Sequence, residues 1–393
     1  MSLIQDLEQV VSKVLPADPS FRAVDREMVD VCVRDARRNA LLNRKDEFLL
    51  SLMRLMALPG NGHSRLIPND AISILPLRLA TIGTKVRLLD ASSNFLSAVG
   101  GELMSINGVS TGEIERASRK FLAGTRQRQR VIGPILFVWP AALKNFGIPS
   151  SHGAFRYQIA DGEGRTIELQ LSSTKVVNGS VFYPLNEHGR TDAAWSPREY
   201  LMIKDFGSSG VLMSLPSFFD PSKAALSDAI AKATELAKVR SDIPLVLDIR
   251  GNTGGDFLRT LPLIDAISQG NKNRKMAVLV DKFSFSAAIV FVALLKYRIG
   301  RRLMIIGEEM GDGLTFFAEG ETIKLPLSGA QVRYSSAFHD WASGRIDETT
   351  PEEVARKIVP VGTLEIDRNW TANPIGANEL DLFYRDVLDS LSV

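Results

Sequence analysis

A chain of 393 residues with 45% hydrophobic content is long enough to bury a large core and to divide into two or three folding units, which excludes a disordered chain. Its 47 Lys and Arg residues against 45 Asp and Glu leave a formal charge of +2 with no long basic run, so no nucleic-acid partner is expected. The one cysteine, Cys32, rules out an internal disulfide and a cysteine-based zinc site, and its place between Val31 and Val33 reads as packing.

In chain order, residues 1–15 mix Asp6, Glu8 and Lys13 with apolar residues at helical spacing and lack the unbroken apolar stretch of a secretion signal. The chain as written is therefore expected to be cytoplasmic, and periplasmic or secreted if a signal peptide has been removed. Helical spacing continues to a dense run through Leu49, Leu50, Leu52, Met53, Leu55 and Met56, which Leu58-Pro59-Gly60 stops. Gly60-Asn61-Gly62 then predicts a turn carrying His63. Alternation over 71–74 and 85–89 marks the change from helix to sheet, and Asn107-Gly108 after 102–106 predicts a tight turn. Arg126, Arg128 and Arg130 read as a solvated helix face, followed by an apolar segment at 135–139. A hairpin is predicted from 155–159 and 166–171 around Asp161-Gly162-Glu163-Gly164, and 172–199 reads as polar loop.

From residue 200 short apolar strands alternate with helices, the pattern of an α/β core. Strands are predicted at 211–215, 245–249, 276–280 and 303–306, with a helix after Asp220-Pro221-Ser222 and another at 258–267. The longest apolar run, 287–295, is about half the roughly 20 residues that span a bilayer, so it reads as a buried helix and no membrane insertion is expected. The expected organisation is a helical unit at 1–70, a β-rich region with a helical insert at 71–199, and an α/β core at 200–393.

Two strand-to-helix junctions in this core lie where such sheets place ligands. One, Arg250-Gly251-Asn252-Thr253-Gly254-Gly255, is rich in glycine, which lets backbone N–H groups approach a ligand. The other sets Ser286 at the mouth of the apolar helix. Ser286 fits two roles there: an N-cap whose oxygen accepts from the first helical turn, or a nucleophile whose oxyanion the helix start stabilises. A serine nucleophile needs a base, and the chain has four histidines, at 63, 152, 188 and 339. His63 follows the glycine turn, while His152 and His188 lie in polar segments that read as solvated.

The stretch Leu247-Asp248-Ile249-Arg250-Gly251-Asn252-Thr253-Gly254-Gly255 resembles the strand and D-x-R-x-N-x-G-G turn of the tail-specific (C-terminal processing) serine proteases. Ser284-Phe285-Ser286-Ala287-Ala288 resembles their nucleophile segment, and Ile305-Ile306-Gly307-Glu308 their I-G-E strand end. Members that use a serine–lysine dyad carry the lysine shortly after that Gly-Glu pair. Here Glu309-Met310-Gly311-Asp312-Gly313 holds none. The histidine-using branch, which includes the tricorn core protease, takes its base from an N-terminal helical unit, and Leu58-Pro59-Gly60-Asn61-Gly62-His63-Ser64 resembles that turn.

The resemblance implies a crotonase/ClpP-like β-β-α core with an N-terminal helical unit and a small PDZ-like β unit, the last carried by Ile106-Asn107-Gly108. It implies a peptidase with Ser286 as nucleophile, His63 as general base, the N–H groups of Gly255 and Ala287 as oxyanion hole, and Asp340, ahead of Asp347, as the acid. Its substrates would be peptides or unfolded protein, with no metal or cofactor. Two rival readings stay open. One is a catalytically silent relative that binds peptides or ligands, since Ile289 stands where the family commonly has an acid; the other is a crotonase-type acyl-thioester enzyme.

Overall fold

A computed structural model of the chain describes residues 2–91, 93–179, 200–220, 224–370 and 377–392. The chain folds as two compact units, one of Met1–Leu185 with Phe316–Phe338, the other of Asn186–Thr315 with His339–Val393. His188 and most of the predicted 172–199 loop lie outside the described residues, as do Pro221 and Ser222 at the predicted helix start.

In the first unit the helices Arg26–Leu41 and Lys45–Ala57 pack together. The second of them buries Phe48, Leu49, Leu50, Leu52, Met53, Leu55 and Met56, so the dense apolar run is its core face. Cys32 is buried on the first, as packing. An antiparallel sheet follows, in the order Leu77–Ile82, Lys85–Ala91, Glu102–Ile106, Ala154–Ala160, Thr166–Ser172. Asn107 and Gly108 both have positive φ, 49° and 82°, which is the two-residue hairpin turn that joins Glu102–Ile106 to Val109–Ser110.

The arginine segment departs from its expected form. In the helix Arg126–Ile132, Arg126 is exposed and Arg130 half-buried, whereas Arg128 is buried. Residues four apart share a helix face, so Arg126 and Arg130 lie together and Arg128 points the other way.

Residues 316–338 close the first unit. The strand Gln331–Arg333 pairs antiparallel with Arg65–Ile67 on one side and Thr322–Lys324 on the other. Leu325, Ala330 and Val332 join the core built by the N-terminal helices.

The second unit holds one sheet in the order Met202–Asp205, Val211–Ser214, Leu245–Asp248, Met276–Val280, Leu303–Gly307, Arg368–Asn369. Its first pair is antiparallel and the others parallel. Val211–Ser214, Leu245–Asp248 and Met276–Val280 are buried along their whole length, which is why they read as unbroken apolar runs rather than alternating ones. Leu212, Val246, Ala277, Leu279 and Ile306 pack against Tyr384, Val387, Leu388 and Leu391 of the terminal helix Ala377–Ser392. The helix Ala287–Ile299 is buried from Ala287 through Leu295, as a helix that is apolar all round should be. Among the described residues no helix is long and apolar enough to cross a membrane. The chain is thus a mixed α/β protein.

Candidate active site

In the second unit the strands Leu245–Asp248 and Met276–Val280 run parallel with Asp248 beside Leu279, so the loops after them leave the same edge of the sheet. Asp281 laces these loops together. Its carboxylate accepts from the Gly251 N–H at 3.0 Å and from the N–H groups of Phe283 and Ser284, each at 3.0 Å. Further ties run from Phe285 N–H to the Asn252 carbonyl at 3.0 Å and from the Ser284 hydroxyl to the Ile249 carbonyl at 3.1 Å. Asn252 is itself fixed, donating to the Leu215 carbonyl and accepting from Gly254 N–H, each at 2.9 Å.

This lacing brings Gly254 against the serine. Ser286 stands at the N-cap position of Ala287–Ile299, yet its side chain makes no capping bond, and its backbone sits at φ 57°, ψ −123°. A non-glycine residue at positive φ costs roughly 1–3 kcal/mol, strain that surrounding structure must hold in place. A sharp, strained strand-to-helix turn with a serine at its tip projects the hydroxyl outward, as in a nucleophile elbow. Gly254, at φ 107°, makes the close approach possible: a Cβ there would lie 2.8 Å from Ser286 Cβ and 3.2 Å from Ala287 N. Gly255, at φ 132°, presses against Phe218, where a Cβ would meet the Phe218 carbonyl at 2.0 Å.

Among the described residues neither Gly255 nor Ala287 donates its backbone N–H to any partner. Ala287 is buried, and a buried N–H left undonated costs free energy that an acceptor at this spot would recover. The nearby Phe218 N–H and Asp256 N–H are by contrast satisfied, by the Gly254 and Phe218 carbonyls.

His63 belongs to the first unit, where it is buried and its ring stacks on Phe316 with centroids 5.1 Å apart. Asn61 fixes the turn that carries it: its amide donates to the Ser64 and Ser335 hydroxyls at 2.9 and 3.0 Å, and its oxygen accepts from Phe317 N–H at 3.3 Å. Asp340 lies in the second unit with its carboxylate bonded to the Thr315 hydroxyl, Ala342 N–H, Ser343 N–H and the Ser343 hydroxyl. Burial works to raise its pKa, but the bonds from Ser343, Thr315 and Ala342 outweigh it and hold the carboxyl below its ordinary value. His339 is buried near Trp341, and His152 is exposed beside the Ser151 hydroxyl. Asp347 accepts from Thr349, a local turn.

The sequence alone did not single out two residues, Asp281 and Lys282. For Asp281 the signal was an aspartate directly after a strand and three before a serine, the pattern of a side chain that bonds its own loop. The buried Lys282 pairs with the half-buried Glu308 at 3.0 Å, so a lysine does stand beside the Gly-Glu strand end, contributed by the loop before Ser286.

The fold that carries the laced crossover loops and the strained serine is similar to that of mature CPAF. No family model and no curated protein matches the sequence of this chain. Among solved structures it is similar to mature CPAF complexed with lactacystin, with a TM-score of 0.56 and 13% identity over 98% of this chain and 97% of that one. A second structure of mature CPAF gives 0.55 and 12% identity over 98% and 96%. The photosystem II D1 C-terminal processing protease covers 94% of this chain and 92% of its own at 15% identity, with a TM-score of 0.39, too low to bear on the argument. At such identities the likeness is one of fold.

Proposed function

We propose that the chain is a serine-type peptidase that hydrolyses peptide bonds of peptides or unfolded protein through an acyl-enzyme. Ser286 attacks the carbonyl carbon, His63 takes the hydroxyl proton, and the Gly255 and Ala287 N–H groups hold the tetrahedral oxyanion. His63 then returns the proton to the leaving amine, and water releases the acyl group by the same steps reversed. Asp340 is the acid assigned to support the imidazole. Residues 1–70 supply the base, and 200–393 the nucleophile and its donors.

The observation that carries this reading is the strained Ser286 turn at φ 57° together with the undonated N–H groups of Gly255 and Ala287. A structural N-cap would use its hydroxyl and need no strain; here the hydroxyl caps nothing. The alternating strands and helices of the second unit are assigned as a crotonase/ClpP-like core. The hairpin at Asn107-Gly108 is assigned to a PDZ-like unit that would take a peptide by strand addition.

A fluorophosphonate tests the nucleophile directly. Native protein is expected to be labelled on Ser286, Ser286→Ala to be unlabelled, and His63→Ala to label at least about a hundredfold more slowly. Native protein that resists labelling would remove Ser286 from the scheme.

A further inference from the structure

Lys282 stands between Asp281 and the Ser286 turn, and we infer that Lys282 and Glu308 are positioning residues that orient the Ser286 loop from the flank opposite the one Asp281 holds. The inference rests on the hydrolase reading and adds to it a pair that the acyl-transfer scheme does not use.

The sheet of the second unit sets three loops side by side. Met276–Val280 lies between Leu245–Asp248 and Leu303–Gly307, with Asp248 level with Leu279 and Val280 level with Gly307. The loop that carries Ser286 is therefore the middle one of the three. Asp281 reaches one neighbour by accepting from Gly251 N–H. Lys282, the next residue, reaches the other, its ammonium donating to the Glu308 carboxylate at 3.0 Å. Two adjacent side chains thus hold the serine loop on both flanks.

The Glu308 flank is also packed backbone to backbone. Glu308 N–H donates to the Val280 carbonyl at 3.2 Å, and Gly311 N–H to the Ser284 carbonyl at 2.9 Å. A Cβ on Gly307 would lie 1.8 Å from the Val280 carbonyl oxygen, and one on Gly311 2.5 Å from the Lys282 carbonyl oxygen and 3.5 Å from the Phe285 ring. Residues 308–311 therefore lie directly against 282–285, the run that leads into Ser286.

Only 4% of the Lys282 side chain and 14% of the Glu308 side chain are exposed. Desolvation offsets much of the attraction within such a pair, so replacing both partners by apolar residues is often neutral for stability, whereas removing one strands a buried charge. Stability alone is then a weak reason for the pair. Its distinctive contribution is a fixed distance and direction between two loops, and a displacement of about 1 Å near a reacting group costs on the order of 100-fold in rate.

The test is Lys282→Met/Glu308→Leu in the whole chain, read by melting temperature, fluorophosphonate labelling and hydrogen exchange. The double variant should keep the native melting temperature yet label Ser286 about tenfold more slowly. Its Gly311 N–H should exchange about tenfold faster, while Ile249 N–H, bonded to the Leu279 carbonyl within the sheet, exchanges at the native rate. Lys282→Arg, which keeps a cation opposite Glu308, should recover most of the native labelling rate. A double variant that labels and exchanges like the native chain would overturn the assignment. So would one that no longer folds, because the pair would then serve the fold and not the loop. Native protein that resists the reagent would remove the hydrolase reading instead; faster Gly311 exchange in the double variant would still support the pair as the loop's second tie, and unchanged exchange would overturn it.

Discussion

At the scale of single residues, the candidate site turns on where a side chain is missing. Gly254 lies so close to Ser286 that a methyl group would sit 2.9 Å from the Phe285 carbonyl oxygen as well as 2.8 Å from Ser286 Cβ. Gly254→Ala is therefore expected to displace the Ser286 turn, slowing fluorophosphonate labelling by about a hundredfold or more and lowering stability by about 1–3 kcal/mol, read from a urea midpoint. The glycine-rich composition of this turn was legible in the sequence. Which glycine faces the serine was not, because that depends on how two loops distant in sequence come together. Asp340 supports a second prediction at this scale. Its folded pKa lies below the unfolded value near 3.9, so its bonds stabilise the fold above that pH and the contribution is lost as pH falls through the folded value. Asp340→Asn should be less stable than the native chain at pH 7, and urea midpoints of the two should converge as pH falls below the unfolded value and through the folded one.

At the scale of elements, the two crossover loops share one carboxylate, that of Asp281. Asp281→Ala leaves the N–H groups of Gly251 and Phe283 without their acceptor, the latter on the loop that leads to Ser286, while Ser284 N–H keeps the backbone carbonyl of residue 281 at 2.9 Å. A loss of about 2–4 kcal/mol is expected from these donors together, with labelling of Ser286 slowed at temperatures where the variant is still folded. Equal labelling rates would confine Asp281 to stability. The D-x-R motif next to it has a different task. Arg250 binds Asp248 through two bonds at 3.0 and 2.7 Å, and Tyr384 of the terminal helix donates to the same carboxylate at 2.9 Å. Arg250 also lies over the Trp370 ring, 4.7 Å from its centroid. The motif was visible in the sequence as a family feature, while its partners, more than a hundred residues downstream, carry no local mark of the contact.

At the scale of the whole molecule, the parallel strands could be read because each is buried on both faces and so appears as a short unbroken apolar run. The return of 316–338 to the first unit could not, since the pairing of Leu66 with Val332 joins segments at opposite ends of the chain and each strand is only three residues long. Yet that return is built into the N-terminus. Asp6 is fully buried, and its two oxygens accept from Leu327 N–H at 3.0 Å and Ser328 N–H at 2.7 Å. Asp18 likewise accepts from Ser335 N–H at 3.3 Å. Without 316–338 the first unit would keep a buried carboxylate with no donors, lose two strands of a three-stranded sheet, and expose the core positions that Leu325, Ala330 and Val332 cover. A fragment of residues 1–185 is thus expected to show no cooperative thermal transition by circular dichroism. The same fragment joined to 316–338 through a flexible Gly/Ser linker should regain one, because closing a longer loop costs only about 0.6 kcal/mol per doubling of its length. Asp6→Ala in the joined fragment should then lose about 2–4 kcal/mol, since it leaves the buried Ser328 N–H and the half-buried Leu327 N–H without their acceptor. Cooperative melting of 1–185 alone would mean that the first unit is complete without its returning segment, and that the buried aspartate finds its donors elsewhere.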